Sequence, residues 1–204
     1  MQKPLLIGIT GGIGSGKTTL SNLLREKNYL VYDADSRAKL LQNTDKSLRE
    51  KITSLFGQDA YNEAGELNRP FLAKIVFNNA EKLQQLNEIV HPVVKADFEN
   101  WVELNKDKEL LFQESAILFE SGFYQMFDKI IVVTADKNIR VERVIQRDNI
   151  TREQALERMS RQLPESELLR RADFICSSDK GLCTEDLNLL LQFIRNEIAQ
   201  KKLK

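Results

Sequence analysis

One glycine-rich stretch near the N-terminus constrains this chain more than any other feature. Residues 11–18 read GGIGSGKT and follow an apolar run, LLIGIT, at residues 5–10. The stretch satisfies GxxxxGK[ST], a pattern in which glycines with positive φ let successive backbone N–H groups converge on phosphate oxygens. A helix that begins at Gly16 adds the positive end of its dipole at the same point. The pattern therefore predicts a strand, a phosphate-binding loop and a helix, in preference to a purely structural glycine turn.

The loop also predicts which of its residues bind the ligand. The lysine of the motif, here Lys17, reaches the β- and γ-phosphates of a nucleotide, and the hydroxyl of Thr18 binds Mg²⁺. The residues expected to contact the nucleotide are Gly12, Ile13, Gly14, Ser15, Gly16, Lys17, Thr18 and Thr19.

Composition excludes several classes of protein. The 204 residues include 30 Lys and Arg and 30 Asp and Glu, so no net field attracts nucleic acid or an anionic membrane. The apolar runs fall short of the roughly 20 residues that cross a bilayer, and no targeting segment is visible. Cys176 and Cys183 have no CxxC spacing and no histidine nearby, which favours incidental thiols in a reducing cytosol. We therefore expect a cytoplasmic protein that binds neither nucleic acid nor membrane.

The order of the apolar and helical patterns predicts an α/β fold. A second short strand at residues 30–32 follows the first helix, and because parallel neighbours need a crossover helix, this beginning predicts a parallel sheet. Residues 36–108 have a helical pattern with a break at 56–69, and are expected to form an insertion for a second substrate. Further strands are predicted at residues 110–112, 130–133 and 174–176, followed by a terminal helix. The fold class is a three-layer α/β/α P-loop fold with a parallel five-stranded sheet, a helical insertion and a helical lid.

Two carboxylates follow the second strand. Asp33 stands 16 residues after Lys17 and is followed by Ala and Asp35. Ligands of an open parallel sheet bind outside the carboxyl ends of its strands, so this pair is expected to face the loop. One carboxylate can accept the proton of an attacking hydroxyl while the other helps to hold Mg²⁺. The alternative is helix capping, since Asp35 precedes a helical pattern.

An arginine-rich segment precedes the last strand. Residues 140–171 contain eight of the 13 arginines of the chain and no lysine, and guanidinium groups suit bidentate contacts with phosphates. Arg140, Arg143 and Arg147 fall on one side of a helix. A break in the helical pattern is predicted near residues 149–151, where Thr151 and Gln154 suggest a capping box. Two or three arginines of the segment are expected to face phosphates from a mobile lid. The others are expected to pair with acidic residues of the same helices.

Three other side chains, one histidine and two glutamates, are candidates for either a structural role or a role in the site. His91, the only histidine, precedes a proline and is expected to be a packed or capping residue rather than a catalyst. Glu114 and Glu120 flank an apolar segment after the third strand, and one of them can reach the site.

The sequence lacks the motifs of a GTPase switch. No DxxG occurs, and residues 105–108, NKDK, lack the aspartate that would bind guanine. No strand clearly ends in the acidic pair of a motor ATPase. These absences leave a small kinase with an acceptor pocket and an arginine lid.

The ordered set of motifs resembles the dephospho-CoA kinase family over nearly the whole chain. The similar segments are TGGIGSGKTT at 10–19, YDADSRAK at 32–39, IVHPVV at 89–94, ILFESG at 117–122, VERVIQRD at 141–148, ERMSRQLP at 157–164 and RRAD at 170–173. Three positions depart from the family pattern: many members have aspartate at Glu114, proline at Ala116 and an asparagine near Ser178. The last departure leaves the contact with adenine open.

The resemblance implies a function. It implies that ATP phosphorylates the ribose 3′-hydroxyl of dephospho-CoA, the last step of coenzyme A synthesis, with a base at Asp33 and lid arginines at Arg143 and Arg147. With Lys17 these are the expected catalytic residues, while Thr18 and Asp35 are expected to hold Mg²⁺.

It also implies a division of the chain into three parts. These are a nucleotide core at residues 1–35, 109–139 and 172–204, a helical acceptor domain at 36–108 and a lid at 140–171. We expect a monomer or a weak homo-oligomer.

Two rival functions stay open on the sequence. A shikimate-type kinase shares the loop and a DxD sequence, although its GGG turn is not found here, where the only adjacent glycines are Gly11 and Gly12. A non-catalytic nucleotide sensor is the other rival.

Overall fold

A parallel sheet organises the part of the chain that carries the phosphate-binding loop. The computed structural model describes residues 3–77, 79–182 and 184–202. The described residues fall into two units, one within Met1–Asp33 and Lys106–Lys204, the other within Ala34–Asn105. The prediction about the thiol of Cys183 lies outside the described residues, whereas Cys176 is buried.

Five strands within the described residues form this sheet. They are β1 (Leu5–Thr10), β2 (Val31–Asp33), β3 (Leu110–Glu114), β4 (Lys129–Thr134) and β5 (Phe174–Ser177). Their order is β2-β3-β1-β4-β5, and every neighbouring pair is parallel, which confirms the predicted sheet. Because β1 is central, the loop that follows it opens at the middle of the carboxyl edge, where ligands of such sheets bind.

Nine α-helices are described along the chain. They are α1 (Lys17–Glu26), α2 (Ala34–Thr44), α3 (Lys46–Phe56), α4 (Arg69–Phe77), α5 (Ala80–Leu104), α6 (Lys137–Asp148), α7 (Arg152–Ser160), α8 (Glu165–Arg170) and α9 (Thr184–Lys202). None of these described helices combines the length and the apolar character that a bilayer span requires.

The main core of the first unit packs α1 and α9 against the sheet. Leu20 and Leu24 of α1, with Leu190 and Ile194 of α9, join Ile7 and other β1 side chains in one buried cluster. The leucines recur three or four residues apart, so each helix presents one apolar stripe to the strands. Burying such side chains stabilises the unit by about 1.5–3 kcal/mol each relative to exposure.

The arginine-rich segment forms three helices. The predicted break near residues 149–151 is confirmed, and α7 begins with the predicted capping box of Thr151 and Gln154. A second break, at residues 161–164, was not predicted; it ends at Pro164, the residue that caps α8. Between α6 and α7 lies a small core of Val141, Val144 and Ala155.

The second unit consists of α2 to α5. The long helix α5 continues through Pro92 and buries Val90, Val94 and Phe98 on one face. The ion pair between Arg37 of α2 and Asp97 of α5, 2.5 Å long, joins two of these helices.

Candidate active site

The phosphate-binding loop runs from the end of β1 to the start of α1. Gly14 and Gly16 have φ of 77° and 97°, a region that side chains with a Cβ rarely adopt. The loop is closed by a turn in which Ser15 N–H donates to the Gly12 carbonyl over 3.1 Å. Gly16 is the N-cap of α1, so the first N–H groups of that helix open onto the loop.

Lys17 lies against the first half of the loop. Its Nζ donates to the carbonyl oxygens of Gly11 and Gly12, at 2.9 and 3.1 Å. The ammonium charge is thereby held within the loop that the motif assigns to phosphates.

A carboxylate stands beside the loop at the end of β3. Thr18 Oγ1 donates to Glu114 Oε1 over 2.9 Å. Glu114 is buried, and its Oε2 has no hydrogen-bond partner within the described part of the chain. In the sheet register Glu114 lies between Ile9 of β1 and Asp33 of β2. The structure therefore brings Thr18, Glu114 and Asp33 to one edge, and Glu114 is the glutamate that reaches the loop.

Three further candidate side chains are described by their own surroundings. Asp35 is in the first turn of α2, in the second unit. Glu120 Oε1 accepts a hydrogen bond from Leu163 N–H over 3.3 Å and so contacts the connection between α7 and α8. His91 is a half-buried residue inside α5, and burial lowers its pKa below the ordinary value.

Two arginines of α6 contact the loop directly. Arg140, whose side chain is 8% exposed, donates from Nε to the Ile13 carbonyl over 3.1 Å and forms an ion pair with Glu165 over 3.1 Å. Arg143 donates to the Ser178 hydroxyl and carbonyl at 2.8 and 2.6 Å, and to the Gly14 carbonyl at 3.3 Å.

Arg147, the third arginine on that side of α6, has a different environment. Its side chain is 61% exposed and forms two hydrogen bonds with the neighbouring Asp148, at 2.7 and 3.0 Å. These bonds from Arg147 hold the pKa of Asp148 below its ordinary value. Its predicted role at the phosphates stays a prediction.

The remaining arginines of the segment pair with acidic residues as predicted, but Arg152 and Arg158 of α7 pair with residues of α6 and not within their own helix. The pairs are Arg152 with Glu142, Arg158 with Asp148, Arg161 with Glu157, and Arg170 and Arg171 with Glu167. Hydrogen bonds from Arg170 and Arg171 lower the pKa of Glu167 to about 2.

Three residues around the loop were missed by reasoning from the sequence. Gln162 Oε1 accepts from Ile13 N–H over 2.7 Å, Glu165 binds Arg140, and Ser178 Oγ donates to the Ser15 carbonyl over 2.6 Å. Two of the three hold backbone groups of the loop, and such partners leave no spacing pattern. Of these three positions, only Ser178 had stood out in the sequence, because many family members have an asparagine near it.

The described residues bring no three His, Cys, Asp or Glu side chains together as a metal site. Mg²⁺ does not require such a cluster, because it is usually held by one or two carboxylates with water and phosphate oxygens. Thr18 and Glu114 offer two oxygen ligands of that kind, side by side.

The sheet is parallel with this strand order, and a GxxxxGKT loop lies between its central strand and α1. Together these features define a P-loop kinase fold. The family model for dephospho-CoA kinase matches residues 5–183. The chain belongs to the dephospho-CoA kinase family.

Individual relatives agree with this assignment. Dephospho-CoA kinase of Fusobacterium nucleatum is 42% identical over 183 residues, which cover 90% of this chain and 93% of the relative. That of Bacteroides fragilis (strain YCH46) is 38% identical, covering 90% of each. A solved dephospho-CoA kinase from Campylobacter jejuni superposes with a TM-score of 0.66 at 28% identity, covering 97% of this chain and 98% of the other. By this homology the chain is an ATP-dependent dephospho-CoA kinase, and the two rival functions are not supported.

Proposed function

We propose that the carboxyl edge of the sheet holds ATP and Mg²⁺ while the ribose 3′-hydroxyl of dephospho-CoA attacks the γ-phosphorus. The observation that supports this most strongly is the hydrogen bond between Thr18 and Glu114 next to the phosphate-binding loop. It brings a hydroxyl, a buried carboxylate and the Lys17 loop to the same edge.

The nucleotide phosphates would be bound by residues 12–19. N–H groups of the loop and of the first turn of α1 supply partial positive charge, and Lys17 exchanges its two loop carbonyls for phosphate oxygens. These donors are fixed before the reaction, so they stabilise developing charge with little reorganisation.

Mg²⁺ would be held by Thr18 and Glu114. The fit rests on Glu114 Oε2, a buried carboxylate oxygen without a hydrogen-bond partner in the described part of the chain, since such an oxygen is costly unless a ligand compensates it. The bound ion supplies charge neutralisation for the phosphates. Asp35, the carboxylate that the sequence favoured for this role, stays a proposal as a further partner through water.

Asp33 would act as the general base. It ends β2 directly beside Glu114 in the register, so its carboxylate belongs to the edge where the nucleotide is expected. The hydroxyl oxygen forms the new bond to the γ-phosphorus, the bond to the β–γ bridging oxygen breaks, ADP leaves, and the hydroxyl proton passes to Asp33.

Arg143 and Arg147 would offset charge on the transferring group. Arg143 already lies against the loop, whereas the exposed guanidinium of Arg147 is bound to the neighbouring Asp148, a contact of small net stability that a phosphate can replace. The monomeric or weakly oligomeric state and the cytoplasmic location also stay predictions, the first to be tested by sedimentation.

An acceptor-dependence assay tests the proposal. ADP release is measured with dephospho-CoA, with shikimate and without an acceptor, and the product is examined by phosphorus NMR. We expect release only with dephospho-CoA and a new phosphate at the ribose 3′ position. ADP release that does not depend on an acceptor would contradict the proposal.

A further inference from the structure

Ile13, in the phosphate-binding loop, is held by the arginine-rich segment through three separate contacts. Its side chain packs against the small core between α6 and α7. Its N–H donates to Gln162 Oε1 over 2.7 Å, and its carbonyl accepts from Arg140 Nε over 3.1 Å. Arg140 is fixed in turn by its ion pair with Glu165.

The sequence of the loop explains why such an anchor is needed. Ile13 is the only residue between Gly11 and Gly14 with a side chain. Glycine backbone has many accessible conformations and loses more entropy than any other residue when it is ordered. The glycines' own conformational preferences therefore do not select one conformation of this half of the loop, so contacts made by other residues have to contribute to the selection.

We propose that Gln162 is a positioning residue for ATP binding, which fixes the Ile13 peptide so that the N–H groups from Gly14 to Thr18 converge on the phosphates. The inference rests on the proposed phosphate site at residues 11–18. Within residues 12–19 the Ile13 N–H is then an exception that does not donate to a phosphate, because Gln162 Oε1 already accepts from it. Holding the loop in its binding conformation lowers the entropy that ATP binding has to overcome.

The variant Gln162→Leu tests this by removing the acceptor at similar side-chain size. We expect the KM for ATP to rise about tenfold, the effect of leaving a partly buried N–H without its partner. The kcat and the KM for dephospho-CoA stay within about twofold, because the reacting groups keep their neighbours. Gln146→Leu, the same change at an exposed position of α6, is the matched control and should leave the KM for ATP unchanged.

Hydrogen exchange gives a second readout, and its wild-type part does not depend on whether a variant folds. The Ile13 amide should be protected without nucleotide and stay protected with ADP and Mg²⁺ bound, and Gln162→Leu should remove that protection. An unchanged KM for ATP would overturn the inference, and so would a lower one, which would mean that Gln162 blocks the loop. Wild-type protein without acceptor-dependent activity would instead refute the proposed function.

Discussion

Thr18 and Glu114 are joined by a hydrogen bond of 2.9 Å from Oγ1 to Oε1, although they lie 96 residues apart in the chain. The bond ties the first turn of α1 to the end of β3. The second oxygen of Glu114 is buried and has no hydrogen-bond partner in the described part of the chain. Buried polar atoms are nearly always paired, so this oxygen supports the proposed placing of Mg²⁺ at Glu114.

Replacing the Glu114 carboxylate should raise the Mg²⁺ concentration that the enzyme requires. In Glu114→Gln we expect the Mg²⁺ concentration for half-maximal rate to rise about 10- to 100-fold, the usual range when a group that supports a metal site is lost. Glu120→Gln is the matched control, because Glu120 contacts Leu163 and not the loop. If both variants need the same Mg²⁺ concentration as the wild type, Glu114 is not part of the metal site.

Asp33→Asn should reduce kcat with little change in either KM. The amide keeps the size of the side chain but cannot take up the hydroxyl proton, and a general base contributes about 10²- to 10⁴-fold. Rapid-quench measurement of ADP formation separates the chemical step from product release. Asp35→Asn is the comparison, and its predicted effect is a higher Mg²⁺ requirement at nearly normal kcat. An Asp33→Asn enzyme with kcat within a few-fold of wild type would exclude the base.

Much of the fold could be predicted because local patterns decide it. The apolar residues of β4 mark a buried parallel strand, and the leucine stripe of α9 marks a packed helix. The capping box of Thr151 and Gln154 is a contiguous signal and lies where it was predicted. The break at residues 161–164 was missed, although Pro164 is a sequence signal for the end of a helix.

The site was predictable only where its residues form a motif. Lys17 and Thr18 follow from the loop sequence, whereas Gln162 holds a backbone N–H 149 residues away, and a backbone group carries no sequence signature. Helical spacing put Arg140 and Arg147 on one side of α6, but it could not show that the first is buried against the loop and the second exposed.

Gly12→Ala should destabilise the protein through a single steric contact. A Cβ at Gly12 would lie 1.9 Å from Nη2 and 2.6 Å from Cζ of Arg140. The guanidinium would have to leave the Ile13 carbonyl and Glu165, and we expect a loss of about 1–3 kcal/mol in the free energy of unfolding. Urea unfolding measures it.

The double variant Gly12→Ala with Arg140→Ala identifies the cause of that loss. Because the clash needs both side chains, the double variant should lose less stability than the sum of the two single variants. Additive losses of stability would show that the alanine at position 12 acts through the backbone and not through Arg140.

The stability of the protein should fall below neutral pH in part because of His91. Burial lowers the pKa of this imidazole below its ordinary value of 6.5. The unfolded chain therefore binds the proton more readily than the folded one, so this contribution to stability is complete above pH 6.5 and is lost as the pH falls toward the pKa of the folded state. The slope contributed by one such group is at most about 1.4 kcal/mol per pH unit.

Since His91 is the only histidine, its imidazole NMR resonances can be assigned without ambiguity, and the pH midpoint of their titration should lie below the midpoint for the chain unfolded in urea. His91→Gln should flatten the dependence of unfolding free energy on pH over this range. A midpoint equal to or above the unfolded value would contradict the prediction.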